Sequence, residues 1–354
     1  MFQCLNSGTC ANFCSCLIRE KHLKNYRKAI KDVKGLIHNK NFIFGQENHG
    51  HSFLKFYDNS TKKLINIPVQ EDLRNYSGVT MIDKNKLFIC GGVNYQMNNV
   101  VSHSKLYSIS EERFTQLPNM HDIRFNFSIL HFKNKIYVTG GRGYGANDVA
   151  IISKCEYFNL ETKTWHRMAD MKIKRCGHQM FAYNNKIYAL GGLSVDKKVR
   201  FMEEYNPFTD CWRITTKSLV FDLYNFEIFS HELDEVMIIG GLHHKGYSNF
   251  IHSFNMKTSR IKCVGILKNH RSNFKLFYDR RKMKLLLMGG AVSAGNQPLQ
   301  NYLEVFDLIN QRSTVCNVDN SVNLASITKF NYNKISVIIQ NSLKSKKLKP
   351  KELR

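Results

Sequence analysis

Short apolar runs that end in two glycines recur along the chain at a nearly constant spacing. The five intact copies end at Gly92, Gly141, Gly192, Gly241 and Gly290. The steps between them are 49, 51, 49 and 49 residues. Weaker copies flank this series, with KNFIFGQ ending at Gln46 and KISVIIQ ending at Gln340. Such a period predicts a repeat architecture in which each unit packs against its neighbours.

A second column of large side chains lies downstream of each apolar run. An aromatic residue is followed, seven positions later, by a second residue that is bulky in all copies but the last. The pairs are Tyr57 and Leu64, Tyr107 and Phe114, Phe158 and Trp165, Tyr205 and Trp212, Phe254 and Ile261, and Phe306 and Ser313. This spacing predicts that the paired positions face each other across a hairpin and wedge one sheet against the next.

Each unit of the repeat predicts four strands. The run before the glycines, such as Leu285–Met288, is apolar throughout, which is typical of a strand buried on both faces. A polar pair such as Lys133-Asn134 joins it to an upstream strand, and turn formers such as Glu161–Lys163 join two downstream strands. No amphipathic helical pattern separates the strands, and only Arg19–Lys34 looks helical. Because one such sheet cannot cover its own faces, we expect the sheets to stack around a ring.

The double glycines, the pairs Phe158/Trp165 and Tyr205/Trp212, and the period of about 50 residues resemble the kelch repeat family. The resemblance covers about residues 30–340 and is strongest in the middle units. It implies an all-β fold, a kelch-type β-propeller. Six blades are favoured and seven are the alternative. In a six-bladed ring, the C-terminal segments ASITKF and KISVIIQ would close the first blade.

Charge is concentrated at the two ends of the chain, and the formal net charge is +24. Residues 1–29 predict a cysteine-rich, basic N-terminal extension, and residues 341–354 predict a basic, disordered tail. A basic tail of this kind is usually solvated, while weak contact with nucleic acid or anionic lipid is the alternative. The positive charge of the whole chain favours acidic partners.

Four cysteines crowd into the first sixteen residues, and three interpretations of them stay open. They could bind zinc, they could be S-acylated and anchor the chain to a membrane together with the nearby basic residues, or they could belong to a disordered tail without a role. The zinc set would be Cys4, Cys10, Cys14, Cys16 and His22. The other six cysteines are scattered singly through the repeats, and we expect most of them to be buried thiols.

Composition excludes several classes of protein. Hydrophobic residues make up 43% and charged residues 23%, which excludes wholesale disorder. No apolar run approaches the roughly 20 residues of a membrane-spanning helix. The N-terminal segment lacks the pattern of a secretory signal, so we expect a cytoplasmic protein with free thiols, with membrane association through the N-terminal cysteines as the alternative. We expect no cofactor.

The resemblance to kelch propellers implies a binding site at the mouth of the central channel. In related substrate-adaptor domains an arginine ahead of each inner strand grips acidic peptides there. The matching residues are Arg74, Arg124, Arg175 and Arg271, and the equivalent near Leu223-Tyr224 has lost the charge. The alternative is that these arginines cap turns between blades.

Loops after the double glycines add aromatic and basic candidates for partner binding. They are Tyr95, Arg142, Tyr144, His244 and Tyr247. No metalloprotease, serine hydrolase or phosphate-loop motif is present, so we expect no enzyme activity, although galactose-oxidase-like and sugar-isomerase-like propellers exist. The sequence thus predicts a protein–protein interaction module, an adaptor or scaffold, for an acidic or phosphorylated segment. The alternative is a scaffold that associates with nucleic acid or membrane through its basic ends.

Overall fold

The structure is a computed structural model, and all its regular elements within the described residues are β-strands. It describes residues 41–46, 52–58, 63–68, 76–83, 85–94, 99–108, 110–111, 113–144, 149–195, 199–230, 234–279, 283–290, 302–317 and 330–331. The predicted N-terminal extension, the helix-like stretch and the basic tail lie outside these residues. No helix long and apolar enough to cross a membrane occurs in the described part of the chain.

The strands form antiparallel sheets that follow the sequence repeat. A first sheet contains β1 (Asn41–Gln46), β2 (Ser52–Asp58) and β3 (Lys63–Pro68). Blade 1 contains β4 (Gly78–Met81), β5 (Lys86–Cys90), β8 (Ser104–Ser108) and β9 (Arg113–Leu117), and its hairpin contains β6 (Val93–Asn94) and β7 (Asn99–Val100). Blade 2 contains β10 (Ser128–Phe132), β11 (Lys135–Thr139), β14 (Cys155–Asn159) and β15 (Thr164–Met168), and its hairpin contains β12 (Arg142–Tyr144) and β13 (Val149–Ile151).

The same order of four strands continues through three more blades. Blade 3 contains β16 (Gln179–Tyr183), β17 (Lys186–Leu190), β18 (Phe201–Asn206) and β19 (Cys211–Ser218). Blade 4 contains β20 (Glu227–Ser230), β21 (Glu235–Ile239), β24 (Phe250–Asn255) and β25 (Ile261–Ile266), and its hairpin contains β22 (Leu242–His243) and β23 (Gly246–Tyr247). Blade 5 contains β26 (Lys275–Asp279), β27 (Lys284–Met288), β28 (Tyr302–Asp307) and β29 (Arg312–Asn317). A last strand, β30, covers Phe330–Asn331.

Two details differ from the predicted six-bladed ring. Five units form four-stranded blades, whereas the first unit has three strands in the described residues, β1 to β3. The C-terminal strand β30 pairs in parallel with β4 of blade 1, while the rest of ASITKF and the whole of KISVIIQ, which are predicted to close the first unit, lie outside the described residues. The reason is local, since β4 is the innermost strand and its free edge offers unpaired backbone groups to an incoming strand.

All six pairs of positions predicted to face each other across the outer hairpin do so. The partners at Cα level are Tyr57 and Leu64, Tyr107 and Phe114, Phe158 and Trp165, Tyr205 and Trp212, Phe254 and Ile261, and Phe306 and Ser313. Where both members are aromatic and described, their rings lie 4.7–5.3 Å apart between centroids. The seven-residue spacing therefore marks the outer hairpin of each unit.

Aromatic side chains also hold neighbouring blades together, as the sequence predicts. Phe88 of blade 1 lies 5.1 Å from Phe158 and 5.9 Å from Trp165 of blade 2. Tyr137 of blade 2 approaches Tyr205 of blade 3 edge to face at 6.2 Å. The core is therefore a series of layers between sheets, each buried by the next blade.

Backbone hydrogen bonds link the blades near their inner strands. One residue in each linker has positive φ and donates its N–H to the equivalent carbonyl of the preceding blade. The series runs Tyr76, Asn126, Gly177, Asn225 and Asn273, with N···O distances of 3.3, 3.0, 2.8 and 3.0 Å. A second bond joins the double glycine to the next linker in blades 1 to 4, as from Gly141 N–H to the Arg175 carbonyl at 2.9 Å. These two sets of bonds hold adjacent blades together near their inner strands.

Five cysteines of the described region are free thiols. Cys90, Cys155 and Cys176 are buried, and Cys211 and Cys263 are exposed. Burial raises the pKa of Cys155 to about 12, so this thiol stays protonated and packs as a small apolar group.

Candidate functional site

Two kinds of loop meet at one end of the blades, which we call the loop face. The linkers that enter each first strand pair with the segment after the double glycines, as in the bridges Phe125 to Arg142, Cys176 to Leu193 and Tyr224 to Leu242. This arrangement follows from antiparallel pairing, because the first strand begins beside the end of the second. Linkers and glycine loops therefore present their side chains together.

Three of these linkers bury an arginine that pairs with a glutamate on the third strand of its own blade. The pairs are Arg124 with Glu156 at 2.8 Å, Arg175 with Glu203 at 2.6 Å and Arg271 with Glu304 at 2.5 Å. All six side chains are 0% exposed. In blade 3 the guanidinium also donates to the Gly191 carbonyl at 2.9 Å, and the carboxylate accepts the backbone N–H of Lys172 at 2.6 Å. Each pair therefore clamps a linker onto its blade.

The prediction that these arginines grip a partner directly is wrong for Arg124, Arg175 and Arg271. A guanidinium that is fully buried and already paired with a carboxylate has no surface to offer. Burial lowers the pKa of Arg175 and of Arg271, and the paired carboxylates oppose that shift. The structure supports the alternative, in which the arginines hold the linkers between blades. Arg74 lies outside the described residues.

Blade 4 lacks both members of this pair. Leu223 stands where the other linkers have arginine, since its carbonyl accepts the Gly192 N–H as the Arg175 carbonyl accepts that of Gly141. His252 stands where the third strand has glutamate, because it lies opposite Ile238, two residues before a double glycine. The ring of His252 packs 4.7 Å from Phe221 and 5.7 Å from Phe250. An aromatic contact thus replaces the ion pair.

Exposed apolar side chains surround this replacement. We call the set Phe201, Val220, Phe221, Phe250 and Ile266 the apolar patch. Their exposure is 52%, 67%, 42% and 55% for Phe201, Val220, Phe250 and Ile266, and Phe221 is half-buried. Phe250 and Ile266 are Cα partners in blade 4. The Leu219 N–H bonds to the Arg200 carbonyl at 2.9 Å, which fixes the start of the linker beside Phe201 of blade 3.

The clustering of the patch on the loop face is marked. In the described residues, eight large apolar side chains are strongly exposed, and five of them lie at the loop face of blades 3 and 4. These five are Val195, Phe201, Val220, Phe250 and Ile266. Scattered apolar residues are normal on a surface, whereas a contiguous group ringed by polar residues marks an interaction site.

Positive charge surrounds the apolar patch. Exposed cationic side chains in the adjoining linkers and loops are Lys172, Lys174, Arg200, Lys245 and Lys268. The three aspartates described in these segments are paired with cations. The pairs are Asp122 with Arg167 at 3.0 Å, Asp170 with Lys154 at 3.2 Å and Asp222 with Arg200 at 3.8 Å. The exposed charge of the face is therefore positive.

The loop residues expected to bind a partner have varied positions. Arg142 is half-buried and exchanges two backbone hydrogen bonds with Phe125, and Tyr144 ends the same strand. His244 is exposed beside Asp222, and Tyr247 is half-buried opposite Leu242. Tyr95 lies outside the described residues. The role of these residues in binding stays a prediction.

The apolar patch is the feature that sequence reasoning missed. The loss of arginine near Leu223 was visible in the repeat, and aligning the third strands would also have placed His252 opposite the missing charge. Exposure could not be read from the repeat, because Phe250 and Ile266 occupy strand positions.

The described residues contain no group of three or more His, Cys, Asp or Glu side chains placed to hold a metal ion. The candidate zinc set at the N-terminus lies outside them. His178 is fully buried, and its Nε2 lies 2.8 Å from the Thr139 hydroxyl, so it packs between blades 2 and 3.

Repeated four-stranded sheets, joined by linkers and bonded side by side, define a β-propeller of the type that serves as a protein–protein interaction module. Part of the chain is similar to the kelch repeat family. A model of the kelch motif matches residues 123–172. Kelch-like protein 15 of Mus musculus is 31% identical over 109 residues, which cover 28% of this chain and 18% of that protein. Kelch-like protein 25 of Homo sapiens is 34% identical over 59 residues, which cover 17% of this chain and 10% of that protein.

The solved structure of YjhT has the same fold. It aligns with a TM-score of 0.60 at 14% identity and covers 73% of this chain and 88% of that one. The chain matches less than a fifth of the length of Kelch-like protein 15. These similarities establish the repeat and the propeller fold, while the partner has to be argued from the surface.

His252 is expected to make blade 4 sensitive to acid. Burial lowers the pKa of His252 below its ordinary value of 6.5, so the unfolded chain takes up this proton more readily than the folded one. The imidazole's contribution to stability is therefore present above about pH 6.5 and is lost as the pH falls below it. Urea unfolding should show that the free energy of unfolding falls less between about pH 7 and pH 5 for His252→Gln than for the native chain. Equal losses would contradict this role.

Proposed function

We propose that this kelch propeller is a non-catalytic adaptor or scaffold that binds an acidic segment of a partner protein on its loop face. The apolar patch of blades 3 and 4 is the observation that carries the proposal. It supplies the desolvated centre that protein interfaces need, and the surrounding lysines and Arg200 supply a polar, cationic rim. A partner segment with apolar side chains between carboxylates or phosphates complements both.

The loss of the buried ion pair in blade 4 supports the placement of this site. In blades 2, 3 and 5 the linker is clamped by an arginine and a glutamate, and none of its described residues is a strongly exposed large apolar side chain. In blade 4 the linker instead exposes Val220 and rests on His252 through Phe221. Blade 4 thus has an exposed apolar surface where blades 2, 3 and 5 have a buried ion pair beneath the linker.

Charge favours the same kind of partner. A cationic surface steers acidic segments toward the patch and disfavours basic ones, and this effect weakens with salt. The free thiols Cys211 and Cys263 are exposed, which suits the reducing environment of the cytoplasm. We therefore place the interaction there.

The test compares affinity capture by the full chain with capture by two variants, followed by quantitative mass spectrometry. Val220→Ser/Phe250→Ser removes the centre of the patch. Phe208→Ser is the matched control, because Phe208 is 83% exposed but lies in the turn between β18 and β19, at the opposite end of blade 3. Truncating two central apolar contacts should weaken the specific partner about 10- to 100-fold.

Partners that are lost with the patch variant and kept by the control would support the proposal, particularly if their binding falls as salt rises. The same captured set from all three baits would show that the patch is not the site. Capture of nucleic acid or lipid in place of protein would favour a scaffold that acts through the basic ends.

A further inference from the structure

Three residues that depart from the repeat lie together beside the apolar patch. Arg200 directly precedes the third strand of blade 3, Asp222 lies in the linker to blade 4, and His244 follows the double glycine of blade 4. Among the described linkers, an acid occupies this place only at Asp222. The equivalents in other blades are Ser102, Ser153 and Asn249 for Arg200, Ile123, Lys174 and His270 for Asp222, and Tyr95, Tyr144 and Val195 for His244.

The carboxylate of Asp222 holds the other two side chains next to each other. Its Oδ1 lies 3.1 Å from His244 Nδ1 and 3.8 Å from a guanidinium nitrogen of Arg200. Because both contacts end on the same oxygen, these two nitrogens lie at most about 7 Å apart. The carboxylate itself is buried, whereas the side chains of Arg200 and His244 are 53% and 52% exposed.

The exposed part of this cluster offers hydrogen-bond donors and positive charge. A carboxylate only accepts, so the proton of the contact with Asp222 lies on His244 Nδ1, and Nε2 is the ring nitrogen that remains for a ligand. The 3.8 Å contact is too long for a hydrogen bond, so Arg200 keeps its N–H groups while its charge is held in place. Lys245, the next residue in the chain after His244, adds an exposed ammonium.

We propose that Arg200 and His244 bind the phosphate of a phosphoserine or phosphothreonine in the partner segment. This inference rests on the proposed function, because the apolar patch holds the residues of that segment next to the phosphate. The two features are continuous in the chain, since Arg200 precedes Phe201 and Asp222 follows Phe221. Binding of the segment to the loop face would therefore depend on its phosphorylation.

A phosphate monoester suits the cluster better than a carboxylate does. It has three acceptor oxygens and nearly two negative charges at neutral pH, so it can bond to Arg200 and His244 together. A carboxylate that pairs bidentately with the guanidinium uses both of its oxygens there. The second charge of the phosphate also favours the imidazolium form, in which Nε2 donates, and Asp222 stabilises the same form. Arg200, Lys245 and a protonated His243 oppose it, so the charge of the ligand decides the balance.

The experiment compares three capped pentapeptides that differ only at the central residue. This residue is phosphoserine, serine or glutamate, and leucines flank it to contact the apolar patch. Titration calorimetry of the full chain at constant ionic strength measures the affinities, with inorganic phosphate as the reference anion. The phosphoserine peptide is expected to bind at least about tenfold more tightly than the other two peptides and than inorganic phosphate.

Variants of the full chain assign the difference to the cluster. Arg200→Gln and His244→Gln should each weaken binding of the phosphoserine peptide at least about tenfold and leave the serine peptide unaffected. Arg167→Gln is the matched control, because Arg167 is 56% exposed and paired with the linker residue Asp122 at 3.0 Å in blade 2. It should bind all three peptides as the native chain does. Thermal unfolding of each variant shows whether it is folded.

The inference is overturned if the phosphoserine peptide binds the native chain no more tightly than the serine or the glutamate peptide, which is a comparison that needs no variant. It is also overturned if inorganic phosphate binds as tightly as the peptide, or if Arg167→Gln loses as much affinity as Arg200→Gln. The proposed function fails separately, when Val220→Ser/Phe250→Ser captures the same proteins as the native chain. Loss of those proteins without any preference for phosphoserine would keep the docking surface and remove the phosphate from it.

Discussion

Replacing Arg175 by leucine is expected to lower the free energy of unfolding by about 3–5 kcal/mol. The change leaves Glu203 fully buried and without its 2.6 Å partner. The backbone N–H groups of Lys172 and Ile173 still donate to this carboxylate, but they do not neutralise its charge. Equilibrium unfolding of the full chain in urea, followed by tryptophan fluorescence, measures the loss, since Trp165 and Trp212 lie in blades 2 and 3.

The chain itself suggests the control for this experiment. Blade 4 has leucine and histidine at the same two positions, so the double variant Arg175→Leu/Glu203→His gives blade 3 the arrangement of blade 4. Its free energy of unfolding should be closer to the native value than that of Arg175→Leu, because no unpaired buried charge remains. The Arg175 Nε–H, which is buried without a hydrogen-bond partner, is also removed.

A double variant that is as unstable as the sum of the two single changes would show that the residues do not interact. Such additivity would contradict the assignment of the pair as a clamp on the linker. A single Arg175→Leu change that costs less than about 1 kcal/mol would do the same, because it would mean that the carboxylate regains water.

The repeat fold was predictable because its signals are local and occur many times. The four apolar residues before each double glycine, and the partners seven positions apart, impose the same strand and hairpin in unit after unit. Tyr205 and Trp212, for example, need only a short antiparallel turn to meet. The pairing of β30 with β4 was not predictable, because it joins segments about 250 residues apart and depends on which inner edge is open.

The candidate site was less predictable than the fold. Arginine is usually exposed, so its recurrence in the linkers suggested a binding surface. Whether it was buried depended on Glu156, Glu203 and Glu304, which lie about 30 residues away and meet the arginines only in the folded blade. For the same reason, the sequence did not reveal that Leu223 and His252 replace the arginine and the glutamate together in blade 4. The charge of a linker residue alone thus did not indicate whether its side chain faces the solvent or the interior of the blade.

The first glycine of the double glycine allows neighbouring blades to approach closely, because it has no Cβ atom. Gly140 has φ +57°, and a Cβ added there would lie 2.4 Å from the Arg175 carbonyl oxygen, 2.9 Å from Met171 and 3.0 Å from His178. The carbonyl oxygen belongs to the backbone of the next blade and accepts the Gly141 N–H, so it cannot move away without breaking an inter-blade bond. Gly140→Ala therefore forces blades 2 and 3 apart.

A substitution at Gly246 provides the control, because it measures the free-energy cost of positive φ without a steric collision. It has φ +117° in the blade 4 hairpin, and nothing lies within 4 Å of a Cβ added there. Gly246→Ala should therefore lose only the conformational preference, about 1–2 kcal/mol, whereas Gly140→Ala should lose at least about 3 kcal/mol, since it adds a clash with fixed backbone. Urea midpoints of the two variants measure the difference. Equal midpoints would mean that conformation alone selects the glycines, and that the spacing between blades does not depend on this close approach.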